Sequence, residues 1–287
     1  MLTGADHAVR SLGGALAWAR QQSVSELHVL VDEAEAAAVV ARRAALFDGA
    51  ATVWRVVDRS LVAASPSPPP TFNVPPPIAE LFRPLLKAAG TDVVTEQGEL
   101  LAEVRGLEVA RVVCDGDDAR LEVGVGRFDR EAFALMNANV PDGDALAKAV
   151  ATVGGHRRPD ALRHPLNQLV PERWLRSDLL GDPARVGAVS LEPVESAVPR
   201  RNLTEAAPAT ALGLDRDGRP VVVTCSSGVD LDLVPTAADD RQAHAPGARL
   251  VLALPERDVL AVTEALAEAL VEQAEIVAVA DSWHGPA

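Results

Sequence analysis

Seven of the thirteen residues 65–77 (SPSPPPTFNVPPP) are proline. Proline lacks a backbone N–H and has a fixed φ, so such a run enters neither a helix interior nor a central strand and takes extended polyproline geometry. The chain must therefore divide on either side of this segment. It reads as a linker after a small unit formed by residues 1–64. The other use of such a run, as a ligand for proline-binding modules, has no accompanying signalling feature here.

Hydrophobic periodicity supplies the elements around it. Residues 5–22 repeat Val9, Leu12, Leu16 and Ala19 along one helical face, and 26–31 (ELHVLV) reads as a short buried strand. Residues 33–47 form an Ala-rich helix followed by Gly49, and 52–57 a second strand. An α-β-α-β order implies parallel strands, because only a crossover connection can join them. Beyond the linker, 78–89 is a predicted helix, 92–128 is strand-rich, and helices follow at 130–138 and 143–153. Residues 160–187 look helical and loop-rich, broken by Pro165, Pro171 and Pro183.

From 209 the α/β pattern returns. Strands near 209–214 and 220–225 flank the turn Asp215-Arg216-Asp217-Gly218, a hairpin signal. Residues 229–234 (VDLDLV) alternate like a strand, with Asp230 and Asp232 on its wet face, and 236–243 suits a short helix. Strand 249–254, helix 257–271 and strand 275–279 close the chain. The predicted class is α/β: a small N-terminal α/β unit joined by the proline-rich linker to a larger mixed-sheet body, itself divided into 78–195 and 196–287.

Composition narrows the function. Hydrophobic residues make up 48% of the 287, yet aromatics are 3% and Tyr is absent, so the core must be built from Ala, Val and Leu. A chain this long buries roughly 75% of its unfolded surface and needs no covalent staples. Cys114 and Cys225 are too few for a disulfide framework or a cysteine metal cluster. A formal charge of −14 opposes attraction to nucleic acid or to an anionic membrane. There is no run of 18 apolar residues, and Arg10 and Arg20 interrupt the N-terminal apolar stretch, so the expectation is a cytoplasmic protein with no membrane partner.

The chemistry concentrates in residues 99–131, where nine acidic and five basic side chains interrupt strand-like runs of Val, Leu and Ala. Strand alternation puts Leu107, Val109, Arg111 and Val113 on one side and Glu108, Ala110 and Val112 on the other. If 107–113 and 119–127 pair through the turn Asp115–Asp118 with their apolar faces coincident, Glu108 and Glu122 emerge together beside the small residues Ala110, Gly124 and Gly126. Two carboxylates about 5–8 Å apart could hold a divalent cation such as Mg²⁺ or divide acid and base roles. Asp129, or Glu131, would supply a third acid, and Arg105, Arg127 and Arg130 would contact an anion. The same pattern fits a solvent-facing sheet laced with weak Glu–Arg pairs.

A second concentration, residues 156–176, carries five Arg and two His. Arg157, Arg158 and Arg173, with Arg176, could donate to a phosphate, and His156 or His164 could titrate near neutrality. The competing expectation is a surface that pairs with the chain's excess of acids, with Trp174 anchoring its helix. Glu103-Val104-Arg105 resembles, with Arg for Lys, the Glu-x-Lys of restriction-endonuclease-like metal sites. The layout recurs where Asp215 or Asp217 precedes PVVVTCSSG, but Thr224, Cys225 and Ser226 occupy the catalytic positions. Ser226-Ser227-Gly228 is expected to be a plain turn, Cys225 a small buried hydrophobe, and His7, His28, His244 and His284 lack metal-ligand spacing.

Two functional expectations follow. One is an enzyme or metal-binding protein acting on a small anionic ligand, phosphorylated ligands included, through Glu108, Glu122, Asp129 and the arginines. The other is a non-catalytic interaction or scaffold protein that engages a protein partner.

Overall fold

Periodic apolar positions need something to face, and in this chain each sheet packs them against helices. The computed structural model of the protein describes residues 2–3, 8–49, 51–126, 129–130, 140–159, 161–162, 164–200 and 202–280. Its content is mixed α/β. The first unit comprises β1 (Leu2–Thr3), α1 (Leu12–Gln21), β2 (His28–Val31), α2 (Ala34–Ala44), β3 (Thr52–Val57) and β4 (Ser60–Ala63). Strand order is β1-β2-β3-β4, the first three parallel and β4 returning antiparallel. Right-handed crossovers between neighbouring parallel strands bring both helices to one face. Val29, Val31 and Val53 accordingly pack against α1 and α2.

The proline-rich segment leads into α3 (Pro77–Glu80) and α4 (Arg83–Ala88), two short turns where a single helix was expected. A four-stranded antiparallel meander follows: β5 (Asp92–Glu96), β6 (Glu99–Val104), β7 (Leu107–Asp115) and β8 (Asp118–Val123). Helices α5 (Asp142–His156) and α6 (Pro171–Gly181) come next. The last sheet holds β9 (Ala188–Val194), β10 (Ala209–Asp215), β11 (Pro220–Cys225), β12 (Arg249–Pro255) and β13 (Ala274–Val279) in consecutive order, with α7 (Leu233–His244) and α8 (Ala261–Glu268) as its crossovers. The hairpin at Asp215–Gly218 forms as the sequence implies, Asp215 N donating to Arg219 O across 2.9 Å.

Alternation along β11 and β12 splits this last sheet between two cores. Val222, Leu250, Leu252 and Leu254 face α7 and α8 and merge with the apolar side chains of the first unit into one cluster. Val221, Val223, Cys225, Val251 and Ala253 face the other way and are covered by Trp174, Leu175 and Leu179 of α6. A separate core joins the meander to α5 through Leu100, Ala102, Val112, Leu121 and Leu146.

Helix α7 lies where these layers meet. Its nine residues from Leu233 to Arg241 are all buried. Asp239 accepts Arg42 Nε at 2.7 Å and Arg43 Nε at 2.9 Å, a pair of guanidinia from α2. Asp240, the next residue, turns to the opposite side and accepts Ala197 N at 2.6 Å, Thr210 Oγ1 at 2.5 Å and Ser196 Oγ at 3.2 Å. Gly13 of α1 lies against the segment entering α7, and a Cβ there would sit 1.8 Å from Leu231 O, so only glycine permits the approach.

Two expectations change. Residues 229–232 are not a strand: Asp230 Oδ1 accepts Asp232 N at 3.0 Å and Asp232 Oδ1 accepts Gly13 N at 2.8 Å. Aspartate competes for backbone donors in this way, which ends extended structure and favours a helix start. Asp230 and Asp232 are therefore not on a wet face. Nor does the proline run hang free. Arg42 donates to Ser67 Oγ at 2.5 Å and Pro68 O at 2.7 Å, and Phe72 stacks on His244 with ring centroids 4.5 Å apart.

Breaking one partner of a buried ion pair costs about 3–5 kcal/mol. Urea denaturation of Asp239→Ala should show a loss of that order, whereas Asp217→Ala, whose side chain is 70% exposed, should stay within about 0.5 kcal/mol.

Burial pushes the Asp240 carboxyl up from 3.8 to about 6, against its three donors. A raised acid binds its proton more tightly in the folded state, so this contribution is full below pH 4 and disappears as pH rises through 6. Between pH 7 and 4.5 wild type should gain stability relative to Asp240→Asn, by about 2 kcal/mol. Parallel pH-dependent denaturation curves for the two proteins would sink the assignment.

Candidate functional site

The β7–β8 ladder pairs Arg111 with Glu122 and Val112 with Leu121. Partners directly opposite share a face, so Glu122 lies with Arg111, and Ala110, which pairs with Val123, lies on the core side. Simple alternation would then separate Glu108 from Glu122. The β6–β7 ladder restores them: Ala102 pairs with Ala110 but Glu103 with Glu108, so Val109 is an extra residue. Such a bulge reverses the alternation beyond it, which returns Glu108 to the face of Arg111 and Glu122. The two glutamates thus come together for a reason other than the expected one, and Ala110 is not their neighbour.

Guanidinia occupy the space between them. Arg111 grips Glu108 with two parallel bonds of 2.8 and 2.9 Å and reaches Glu99 at 2.7 Å. Arg130 adds a 2.7 Å bond to Glu108 and lies 3.9 Å from Glu122, which Arg120 holds at 2.8 Å. The bond to Glu108 raises the Arg111 pKa above its ordinary value, against the opposing effect of burial. Glu108 is 6% exposed. Asp129 serves the backbone instead, accepting Val125 N at 2.7 Å. Arg127 and Glu131 lie outside the described residues.

The same sheet face continues through Glu103, Glu96 and Asp92, and there it meets α6. Glu103 accepts Arg173 at 2.6 Å and Arg176 at 2.7 Å, Glu96 accepts Arg173, and Asp92 accepts Ser177 Oγ at 2.6 Å. Burial pushes the Glu103 carboxyl up against the pull of Arg176 and Arg173. Burial opposes protonated Arg173, yet Glu103 and Glu96 together hold it above the ordinary arginine range. Gly106, in the β6–β7 turn, lets the meander press onto the α6 backbone, since a Cβ would sit 2.2 Å from the Arg173 carbonyl carbon.

The remaining arginines of the basic island have different fates. Arg157 is fully buried, donates to the carbonyls of Arg105, Leu166 and Leu169, and stacks over Trp174 at 4.4 Å. Burial brings it down to about 10. Arg105 lies 3.5 Å from Asp178, Arg158 is exposed, and His156 stacks on His164 at 3.9 Å. The two segments that looked functional separately therefore meet at Glu103, which Arg173 and Arg176 neutralise.

Arg200, Arg176 and Arg173 also line a cleft with Glu96, Glu195 and Thr210, and Arg200 bonds Glu172. Its space is about 20 Å³, room for roughly one water molecule. Sequence reasoning missed Arg200, Glu195 and the doublets Arg42-Arg43 and Asp239-Asp240. The complementary doublets were the available signal. Cys225 is buried and its thiol is pushed up to about 12 by burial, which leaves no nucleophile there at neutral pH.

No cluster of three or more His, Cys, Asp or Glu side chains fit to hold a metal occurs among the described residues. No helix among them is long and apolar enough to cross a membrane. Comparison with protein-family models, with curated proteins and with solved structures returns no match.

Since Glu103 is 1% exposed and neutralises two buried arginines, Glu103→Gln should cost about 3 kcal/mol or more. Glu122, 30% exposed, should cost less than about 1 kcal/mol on the same change. Equal midpoints for both variants in urea would contradict this ranking.

Proposed function

We propose that this chain is a non-catalytic interaction or scaffold protein of the cytoplasm, and that its charged strands hold the molecule together instead of turning over a substrate. The observation that carries this reading is the two-bond grip of Arg111 on Glu108, completed by Arg130. A carboxylate that binds a metal needs free lone pairs directed into open space, and a general base needs a path to its proton. Glu108 has three guanidinium bonds and almost no exposure, and Glu103 is closed in the same way by α6.

A protein that works by association needs exposed surface, and the outer face of the first sheet supplies it. Leu30 pairs with Trp54, Trp54 with Ala63, and Val56 with Leu61, so these apolar side chains share the face that α1 and α2 leave uncovered. Leu61 is 52% exposed. An apolar sheet face of this kind suits a protein partner better than an anionic ligand.

Divalent-ion titration tests the reading. A ligand that binds only the folded state raises the melting temperature by mass action. Millimolar Mg²⁺ or Mn²⁺ should leave the melting temperature unchanged, and Glu108→Gln should lower it in the absence of any ion. A saturable rise with either ion, removed by Glu108→Gln, would restore the metal-dependent enzyme in place of the scaffold.

A further inference from the structure

Far from the charged meander, the end of α1, the loop after α2 and helix α8 enclose a notch of about 150 Å³. Its floor is apolar, formed by Leu16, Phe47 and Leu266, which are 9%, 3% and 1% exposed. Backbone bonds hold the floor shut beneath: Asp48 N donates to Ala269 O at 2.8 Å and Val271 N to Leu46 O at 2.9 Å. The rim carries Arg20 and Asp48, with the hydroxyl of Ser25 nearby. These two rim charges are opposite in sign, yet among the described residues their side chains form no ion pair with each other or with any other group.

We propose that this notch binds a free α-amino acid with an apolar side chain. A space near 150 Å³ is large enough for a benzene ring, so a phenylalanine-sized or leucine-sized side chain fills the floor. The ligand carboxylate meets the Arg20 guanidinium and its ammonium meets the Asp48 carboxylate. An apolar acid would satisfy Arg20 and leave Asp48 facing a second negative charge. An apolar amine would do the reverse. Only a zwitterion matches both, and the apolar floor rejects polar side chains because their hydrogen bonds to water would go unreplaced. The site is independent of the charged network, so it stands whether or not the scaffold reading holds.

Calorimetric titration of the full chain with L-phenylalanine, 3-phenylpropionate, phenethylamine and L-serine tests this. L-phenylalanine should bind saturably and at least about tenfold more tightly than either half-charged analogue, the scale of one charge-assisted hydrogen bond. L-serine should give no heat above dilution. Arg20→Gln and Asp48→Asn alter exposed side chains and should leave the fold intact, checked by circular dichroism, while each weakens L-phenylalanine about tenfold. The proposal is overturned if L-phenylalanine produces no saturable heat up to about 10 mM, where even a millimolar site would be filled, if an analogue with one charge binds as tightly, or if either rim variant binds unchanged.

Discussion

Two adjacent carboxylates inside helix α7 govern how this molecule is assembled. Asp239 and Asp240 have no exposed surface, and a buried ionised carboxylate is costly unless it is paired and hydrogen-bonded. The helix solves this in two directions. Asp239 is satisfied by charge, through Arg42 and Arg43 of the first unit. Asp240 is satisfied by neutral donors, Ala197 N, Ser196 and Thr210, on the side of the last sheet. Neither partner set can move without stranding a charge, so the helix fixes the first unit against the last sheet while Leu233, Ala237 and Ala238 supply the apolar contact. The chemistry of each site also explains their electrostatics: neutral donors leave desolvation dominant at Asp240, which is held near 6.

The meander repeats this arrangement on a larger scale. Its core-facing side is ordinary, with Leu100, Ala102, Val112 and Leu121 packed on α5. Its other side is a field of acids that would repel itself if left bare. Arg173 and Arg176 from α6 and Arg111 and Arg130 from the sheet itself convert that field into a cross-braced layer. Helix α6 is thus amphipathic in an unusual sense: Trp174, Leu175 and Leu179 cover the last sheet while Arg173 and Arg176 cover the meander. A chain with few aromatics gains specificity of docking from these pairs. Apolar surfaces built from Ala, Val and Leu adapt to many alignments, whereas bidentate guanidinium–carboxylate geometry accepts few.

This arrangement also explains why the molecule's inside and outside differ in chemistry. The charges of the meander are bonded to one another, and the cleft beside Arg173, Arg176 and Arg200 has space for roughly one water molecule. Two features stay uncovered at the surface: an apolar sheet face around Trp54 and Leu61, and the rim of the notch between α1 and α8. Recognition at such places relies on preformed shape and on a few polar groups, not on titrating residues.

Much of the architecture was legible in the chain itself. Alternation and helical periodicity located β2, α2, β3, β11, β12 and β13, the Asp215–Gly218 turn fixed a hairpin, and the proline run interrupts regular structure between β4 and α3, because these features depend on local sterics and on which residues tolerate burial. Long-range partners were not legible. The acids of 92–122 and the arginines of 157–176 could be seen as complementary, but which atom meets which depends on the approach of Gly106 to α6 and on the extra residue Val109. That bulge decides the face of Glu108, and a single-residue change of register is invisible to a period of two. The VDLDLV segment misled because its alternation suits a strand, and only contact with Gly13 reveals aspartates serving a helix start. The sequence by itself determined the class and most of the elements, since these are settled within a few residues. Tertiary structure decided which charges pair, because a carboxylate beside a guanidinium and one beside open space are identical letters until the chain brings their neighbours together.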